Sequence, residues 1–400
     1  MAGFDIIPKA AKTRPSPYKV SVPEERVVEL KQLLKLSRIG PPTYENLHAE
    51  PLHGKFGLTR EWLLNAKKEW ETFDWRLVED ELNSFPNYML KIGQTDLHFL
   101  ALFSEKPDAV PLLLLHGWPG SILEFLPLLS LMKEQYSPKD LPFNLIVPSL
   151  PGYSFSSGPP LDRNFTMLEV AELLNSLMVE LGFGETGYVA QGGDIGSRLS
   201  RLLGAKHEGC KAVHLNFCIV PRPENISMES LSDAERAGAE RGMAFVVNEN
   251  AYAKEQASRP ATIGLVLSTN PLALLAWIGE KFLEWTDETP PLSEILASVS
   301  LYWLTDTCPR AIYPYRESYG PDPTHHGTPS LYINKPLGYS YFPYDVYPVP
   351  VSWVATTGKL CWSKIHTKGG HFAALEQPKA IKEDLESFIA QVWKRELDSV

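Results

Sequence analysis

Residues 191–197, which read Gln-Gly-Gly-Asp-Ile-Gly-Ser, restrict the possible fold more than any other stretch of the chain. An apolar run at 187–190 precedes them, and a helix-like stretch at 197–205 follows them. The predicted order is therefore strand, sharp turn and helix. Glycines two positions before and two positions after Asp194 suit a tight turn, because only residues without bulk fit beside the central side chain. Such a turn exposes the side chain of Asp194.

The exposed residue of this turn is a carboxylate, where many proteins that present a nucleophile in this way carry serine. A carboxylate attacks saturated carbon directly and leaves an alkyl ester, so Asp194 indicates cleavage of a C–O or C–halogen bond. The alternative is that Asp194 only caps the following helix, which is a common role of aspartate. The turn alone leaves both interpretations open.

Short apolar strands and helical stretches alternate in the first half of the chain. Strands are predicted over 88–92, 97–103, 110–115, 144–147, 188–190 and 212–217. Helices are predicted over 121–133, 166–181 and 195–206. This alternation indicates the α/β class, with a mostly parallel sheet and helices on both faces. Ligands of such sheets bind beyond the carboxyl ends of the strands, where Asp194 falls, and the combination predicts the α/β-hydrolase fold.

Four regions are expected along the chain. Residues 1–86 read as a proline-punctuated, mostly helical leader that packs on the core and is a candidate for mediating a homodimer. Residues 87–220 form the first part of the core. Residues 221–330 are helix-rich and aromatic, and they are predicted to form a lid over the strand ends. Residues 331–400 return to the core, with strands over 337–342 and 360–366 and a C-terminal helix over 379–394.

Composition excludes several classes of partner. A formal charge of −10 without a basic stripe argues against nucleic acid and anionic membranes. The 4 cysteines have no C-x-x-C spacing and predict reduced thiols rather than a disulfide framework. The start of the chain has no signal-peptide core, and no apolar run reaches transmembrane length. We therefore expect a soluble, cytoplasmic protein without a membrane anchor. No histidine pair has metal-ligand spacing, and no cofactor is expected.

A loop directly follows the strand predicted over 110–115, and its sequence is His116-Gly117-Trp118-Pro119-Gly120. In the α/β-hydrolase fold this loop supplies one backbone N–H of the oxyanion hole, and the residue after the nucleophile supplies the other. These two donors are assigned to Trp118 and Ile195. Three residues are expected to support the loop: His116, Gly117 and Pro119.

A histidine between the last predicted strand and the final helix completes the arrangement. His371, in Gly-Gly-His-Phe, is the predicted general base, because the chain order nucleophile, acid, histidine is that of the α/β-hydrolase triad. Asp345, after the strand predicted over 337–342, is the predicted acid that orients the imidazole. Weaker candidates for the base are His366, placed within the last strand, and His325 and His326, placed in a polar loop. Rival acids are Asp306, Glu317 and Glu376.

Together these motifs resemble the microsomal-type epoxide hydrolases of the α/β-hydrolase fold, especially the soluble fungal members. The resemblance spans nearly the whole chain. The motifs that carry it are Phe-Asp-Trp-Arg at 73–76, Leu-Asn at 82–83, Phe-Pro at 85–86, the loop at 116–120, Pro-Ser-Leu-Pro-Gly-Tyr at 148–153, Gln-Gly-Gly-Asp at 191–194, Trp-Ile at 277–278, Glu-Lys-Phe at 280–282 and Gly-Gly-His-Phe-Ala-Ala-Leu-Glu at 369–376.

The resemblance implies that two lid tyrosines donate hydrogen bonds to the epoxide oxygen. The matching positions are Tyr252 and Tyr315. A phenol of ordinary pKa, about 10, can protonate a basic alkoxide without being ionised at pH 7. The chain departs from the family in one position, since many members carry Glu where it has Asp345. Membrane-bound relatives have an N-terminal anchor that is not recognised here, so a microsomal location is not expected.

The predicted activity is hydrolysis of hydrophobic epoxides, such as styrene-type aryl and alkyl oxides, to vicinal diols through a covalent ester on Asp194. The resemblance also suggests a role in detoxification or aromatic hydrocarbon catabolism. One alternative is a haloalkane dehalogenase, although those enzymes generally carry Trp where this chain has Ile195. A second alternative is a non-catalytic scaffold that binds a hydrophobic ligand, although such scaffolds usually lose a member of the triad.

Overall fold

A computed structural model describes residues 3–50, 55–318 and 325–393 of the 400-residue chain. Parts of the predicted leader, lid and C-terminal helix therefore lie outside the described residues. The strands are β1 (Ser16–Pro17), β2 (Asn87–Ile92), β3 (Thr95–Leu102), β4 (Val110–Leu115), β5 (Phe143–Pro148), β6 (Tyr188–Gly192), β7 (Cys210–Leu215), β8 (Ile333–Tyr341) and β9 (Gly358–Ile365). They form one sheet in the order β1-β2-β3-β5-β4-β6-β7-β8-β9. Pairing is antiparallel from β1 to β5 and parallel from β5 to β9, so the predicted mostly parallel sheet is confirmed.

The central strands bring two predicted site segments to the same edge of the sheet. β4 consists of Val-Pro-Leu-Leu-Leu-Leu and is buried throughout, as expected for a strand covered on both faces. In the β4–β6 ladder Leu115 pairs with Gly192, so both strands end at the same level. The loop at 116–120 and the turn at Asp194 therefore begin side by side.

The described part of the leader contains the helices α1 (Glu24–Leu36), α2 (Tyr44–Leu47), α3 (Arg60–Thr72) and α4 (Trp75–Asn83). The side chains of Thr59 and Asp74 start α3 and α4 by accepting backbone N–H groups of the first turn. The leader was expected to pack on the core, and β1 joins the sheet while the Phe4 carbonyl accepts the Phe103 N–H at 2.9 Å. The helices α1, α3 and α4 contact the lid. The reason is the apolar face of these helices, where buried Trp70 also donates its Nε1–H to Ser300 Oγ at 2.7 Å.

Three helices of the first core segment are α5 (Leu126–Gln135), α6 (Met167–Glu180) and α7 (Asp194–Lys206). The predicted helix over 121–133 is divided into a 3-10 turn, Ile122–Phe125, and α5. Pro127 explains the division, because proline has no N–H to donate inside a helix and is favoured in its first turn.

The lid supplies α8 (Asp233–Asn248), α9 (Ala251–Ser258), α10 (Pro260–Thr269), α11 (Pro271–Glu284), α12 (Leu292–Leu304), α13 (Thr307–Ala311) and α14 (Tyr315–Ser318). It lies over the strand ends, since the ring of Trp285, directly after α11, is centred 5.1 Å from the His371 ring. Within the described ranges no single helix is long and apolar enough to cross a membrane; by length and composition only, α10 and α11 pass as a pair bent by 115°.

The last core segment adds α15 (Val351–Val354), α16 (Ala373–Glu376) and α17 (Pro378–Val392). His366 was placed within the last strand, but β9 ends one residue earlier, at Ile365. His366 Nε2 lies 2.6 Å from Oδ2 of Asp384 on α17, so the side chain ties the end of β9 to this helix. That contact gives His366 a structural partner.

Candidate active site

Asp194 occupies a strained turn between β6 and α7, with a backbone φ of +43°. A residue other than glycine with a positive φ has a conformational strain on the order of 1–3 kcal/mol, so surrounding contacts must hold this conformation. A Cβ at Gly196 would lie 2.0 Å from the carbonyl oxygen of Leu115, and one at Gly192 would lie 2.3 Å from the carbonyl carbon of Gly196. Glycine at these two positions lets β4, β6 and α7 meet closely, and this packing fixes the turn.

His326 supports the turn. It lies in a loop, as predicted, but its side chain is buried, with only 1% exposed. Its Nδ1 accepts the Ile219 N–H at 3.0 Å, so its Nε2 donates to Ser197 Oγ at 2.9 Å. Ser197 Oγ in turn donates to the carbonyl oxygen of Asp194 at 2.5 Å. Burial holds the pKa of His326 well below its usual range, so it is a neutral hydrogen-bonding support.

The loop at 116–120 brings a backbone donor to the carboxylate. The Trp118 N–H donates to Asp194 Oδ1 at 2.7 Å. A Cβ at Gly117 would lie 2.2 Å from the same oxygen, so glycine permits this approach. Ile195, the other predicted donor, is in the first turn of α7, where N–H groups have no intrahelical acceptor and suit anion binding.

The remaining loop residues shape this approach. His116 is fully buried, and its Nε2 accepts the Leu150 N–H at 3.2 Å. Burial lowers the pKa of His116 to about 4, so the ring is neutral and joins this loop to the loop after β5. The peptide bond between Trp118 and Pro119 is cis.

His371 lies between two carboxylates. Its Nδ1 is 2.7 Å from Asp345 Oδ1, and its Nε2 is 3.5 Å from Asp194 Oδ2. The backbone N–H of His371 also donates to the backbone carbonyl of Trp285 at 2.8 Å, so the lid helps to fix the residue that carries the imidazole. The structure therefore brings together the nucleophile, base and acid candidates that the sequence predicted.

The three rival acids have other partners. Glu376 accepts backbone N–H groups of Gly370, Phe372 and Asp287, and so holds the loop around His371. Glu317 accepts the Met167 N–H at 2.7 Å. Asp306 pairs with Arg26 at 2.8 Å.

The protonation of His371 depends on both carboxylates. Burial alone would lower the pKa of the imidazole, but Asp345 and Asp194 together raise it to about 10. In the resting site His371 is therefore an imidazolium paired with Asp194 at neutral pH. A change that neutralises Asp194 removes part of this effect and lowers the pKa of His371.

The two lid tyrosines meet above Trp118. The Tyr252 ring stacks on Trp118 with centroids 5.3 Å apart, and Tyr315 meets Trp118 edge-on at 5.7 Å. Tyr315 is hydrogen-bonded to Tyr252, and burial raises its pKa well above the ordinary value, so it stays a phenol. Lys281, which is buried, places Nζ 4.7 Å from the centre of the Tyr252 ring.

Sequence reasoning missed Glu124, which lines the same small cavity as Asp194 and His371. Burial raises the pKa of Glu124 to about 8, with Asp194 adding to the effect and His371 opposing it. The available signal was a single carboxylate within the apolar stretch 122–129. Among the described residues, no group of three or more His, Cys, Asp or Glu side chains could hold a metal ion.

Comparisons with known proteins agree over nearly the whole chain. Residues 15–125 match the family model "Epoxide hydrolase N terminus", and residues 110–253 match the model for the alpha/beta hydrolase fold. A protein of Dothistroma septosporum with epoxide hydrolase in its name is 45% identical over 399 residues, which are 97% of this chain and 93% of that protein. Epoxide hydrolase 1 of Sus scrofa is 30% identical over 410 residues, which are 93% of this chain and 88% of that protein.

The structure of Aspergillus niger epoxide hydrolase is similar at a TM-score of 0.93 and 53% identity, over 98% of this chain and 100% of that one. The similarity therefore extends beyond a shared core to the leader and the lid. The resemblance to microsomal-type epoxide hydrolases is confirmed: the chain belongs to the epoxide hydrolase family of the α/β-hydrolase fold and is a hydrolase that acts on ether bonds.

Proposed function

We propose that this epoxide hydrolase works through a covalent ester on Asp194. The observation that carries the proposal is the position of Asp194, whose Oδ1 accepts the Trp118 N–H at 2.7 Å while Oδ2 faces His371 Nε2 at 3.5 Å. One oxygen is thus held as a future carbonyl, and the other is available for attack. The family assignment favours this activity over the dehalogenase and scaffold alternatives.

In the first step Asp194 Oδ2 bonds to one ring carbon, and the C–O bond of that carbon breaks. The released oxygen takes a proton from the hydrogen-bonded pair Tyr252 and Tyr315. Formation of the ester removes the charge of Asp194, and the pKa of His371 therefore falls. The His371 imidazolium can then give its proton to the tyrosine pair, which replaces the proton that the pair gave to the released oxygen. This leaves a neutral imidazole beside a neutral ester.

In the second step His371 takes one proton from a water molecule, whose oxygen bonds to the ester carbon. The oxyanion that forms on Oδ1 is stabilised by the N–H groups of Trp118 and Ile195, and each such donor typically contributes about 3 kcal/mol. Collapse expels the diol oxygen, which takes the second proton of the former water. Asp194 is again a carboxylate, and His371 is again an imidazolium.

Hydrolysis of styrene oxide by the wild type, Asp194→Asn and His371→Ala tests both roles. The wild type is expected to form diol, Asp194→Asn none, and His371→Ala a trapped adduct heavier by the mass of the epoxide. In ¹⁸O-water a single turnover should label Asp194 and leave the first diol unlabelled. Label that appears directly in the first diol would disprove the covalent route.

The substrate class and assembly also belong to this proposal. The aromatic side chains of Trp118, Trp285 and Tyr252 pack against one another beside the Trp118 N–H that holds the carboxylate, and they suit an aryl or alkyl epoxide. The proposed homodimer forms through the leader, which exposes the apolar side chains of Leu36, Leu47 and Leu77. Sedimentation at several protein concentrations tests it. A cytoplasmic location and a role in detoxification stay predictions from the sequence.

A further inference from the structure

A cavity of about 20 Å³ adjoins the Asp194 carboxylate and is lined by His371, Glu124 and Asn216 among others. This volume suits one water molecule, for which on the order of 10–15 Å³ is sufficient when polar partners are present. The described residues that line this cavity do not include Tyr252 or Tyr315. The cavity therefore lies apart from the tyrosine pair that is expected to meet the epoxide oxygen.

His371 presents a hydrogen-bonding atom to this cavity. Nδ1 is engaged by Asp345 at 2.7 Å, whereas Nε2 is buried and 3.5 Å from Asp194 Oδ2, longer than a good N–H···O bond. A water in the cavity can thus reach Nε2, the atom that must take its proton.

Glu124 is held at the cavity by the turn that follows the 116–120 loop. The Ser121 side chain accepts the Leu123 N–H and starts this turn. The carboxyl group folds back over Gly120, where a Cβ would lie 2.3 Å from Glu124 Oε2. Because glycine leaves this space, Glu124 reaches the cavity that Asp194 and His371 also line.

We propose that this cavity holds the water that hydrolyses the ester, and that Glu124 positions this water by accepting its second hydrogen. One O–H then points to His371 Nε2 and the other to a Glu124 oxygen, so a lone pair of the water is directed at the ester carbon. Glu124 neither gains nor loses a proton in this step. The inference rests on the covalent route proposed above.

The role assigns Glu124 to one half of the reaction. Ester formation needs Asp194 and the tyrosines but no water, so it is expected to be unaffected by loss of the Glu124 acceptor. Ester hydrolysis needs an oriented water, and misplacement of a reacting group by about 1 Å can cost on the order of 10²-fold in rate. A merely structural role would slow both steps or lower stability.

The test compares Glu124→Ala and Glu124→Gln with the wild type in stopped-flow single turnovers of styrene oxide, with ester followed by intact mass. The Ala variant is expected to form ester within about twofold of the wild-type rate and to hydrolyse it about 10²-fold more slowly, so that ester accumulates. The Gln variant retains an acceptor oxygen and is expected to recover most of the hydrolysis rate. Glu134→Ala, an exposed carboxylate on α5, is the matched control and should behave as wild type.

Wild-type ester hydrolysis in Glu124→Ala, or equal slowing of ester formation and hydrolysis, would overturn the inference. The His371→Ala variant in the same series separates the two proposals. If it accumulates ester while Glu124→Ala hydrolyses normally, only the role of Glu124 fails. If no variant and no wild-type sample ever shows ester, the covalent route itself fails.

Discussion

Asp194 Oδ2 and His371 Nε2 face each other at 3.5 Å in the resting site, and the carboxylate helps to keep the imidazole protonated. The group expected to attack the epoxide thus also holds the base in its inactive form. In the proposed mechanism, ester formation removes the charge of Asp194 and so lets His371 accept a proton from water. The proposal therefore orders the two half-reactions through this charge.

This coupling predicts a difference in the titration of His371 between two proteins. The imidazole of the wild type should stay protonated until the pH approaches 10, whereas in Asp194→Asn its pKa should fall, because the neighbouring negative charge is lost. NMR of ¹⁵N-histidine-labelled protein measures both values, with mass spectrometry to exclude deamidation of the new Asn. Equal pKa values in the two proteins would contradict the coupling.

The same shift has a defined effect on stability. The folded-state pKa of His371 is raised from 6.5 to about 10, so the charge pair stabilises the fold fully below pH 6.5. This contribution is lost as the pH rises through about 10. The free energy of unfolding of the wild type, relative to Asp194→Asn, should therefore decrease over this window in denaturant titrations.

Replacement of Asp345 should impair catalysis far more than binding. Asp345→Asn removes the charge that orients and stabilises the imidazolium at 2.7 Å, and the loss of such a group in a triad costs on the order of 10⁴-fold in kcat. Steady-state kinetics with styrene oxide measure the effect. Asp306→Asn, which alters a rival acid at the surface, is the control and should leave kcat unchanged. A small effect at Asp345 together with a large one at Asp306 would reverse the assignment.

Loss of the lid hydroxyls should slow ester formation specifically. Tyr252→Phe and Tyr315→Phe each leave one donor of the hydrogen-bonded pair, so each single variant should lose about tenfold, and the double variant should approach the 10²–10⁴-fold typical of general acid catalysis. Stopped-flow measurement of ester formation tests this. Tyr332→Phe, at a partly exposed ring, should change nothing. An unimpaired double variant would remove the tyrosines from the mechanism.

The turn that carries Asp194 should tolerate no side chain at Gly196. In Gly196→Ala the new Cβ would meet the Leu115 carbonyl oxygen at 2.0 Å, and neither backbone can yield without separating β4 from α7. We expect the free energy of unfolding to decrease by about 1–3 kcal/mol, which is the typical cost of overpacking a core. Thermal and denaturant unfolding measure it. Gly40→Ala has open space around the new Cβ and serves as the control.

Local patterns were sufficient to predict β2 to β9 and the catalytic triad candidates, whereas β1, a two-residue strand in the leader, was not predicted. The strand predicted over 110–115 has the bounds of β4, because a continuous apolar run bounded by a polar loop leaves little choice of register. The same logic placed Asp194, Asp345 and His371, since each follows a recognisable strand or precedes a helix. Chain order then brought them together at one edge of the sheet.

What could not be predicted depends on packing between distant segments. His326 is adjacent to Ser197 only because the last part of the 221–330 segment, before β8, packs against the turn. Glu124 points inward because Gly120 leaves space above the loop, which no periodicity reveals. The lid tyrosines came from the family resemblance alone, since their helices, α9 and α14, are short and carry no distinctive pattern.

The contact between the leader and the lid limits how the enzyme can admit its substrate. The lid is joined to the core through its own two chain ends. The leader is a third connection, because β1 pairs within the sheet and Trp70 is hydrogen-bonded to Ser300 on α12. An outward swing of α11 and α12 must either carry the leader helices along or break that attachment. A lid motion of that kind would therefore be opposed by a segment remote from the chemistry.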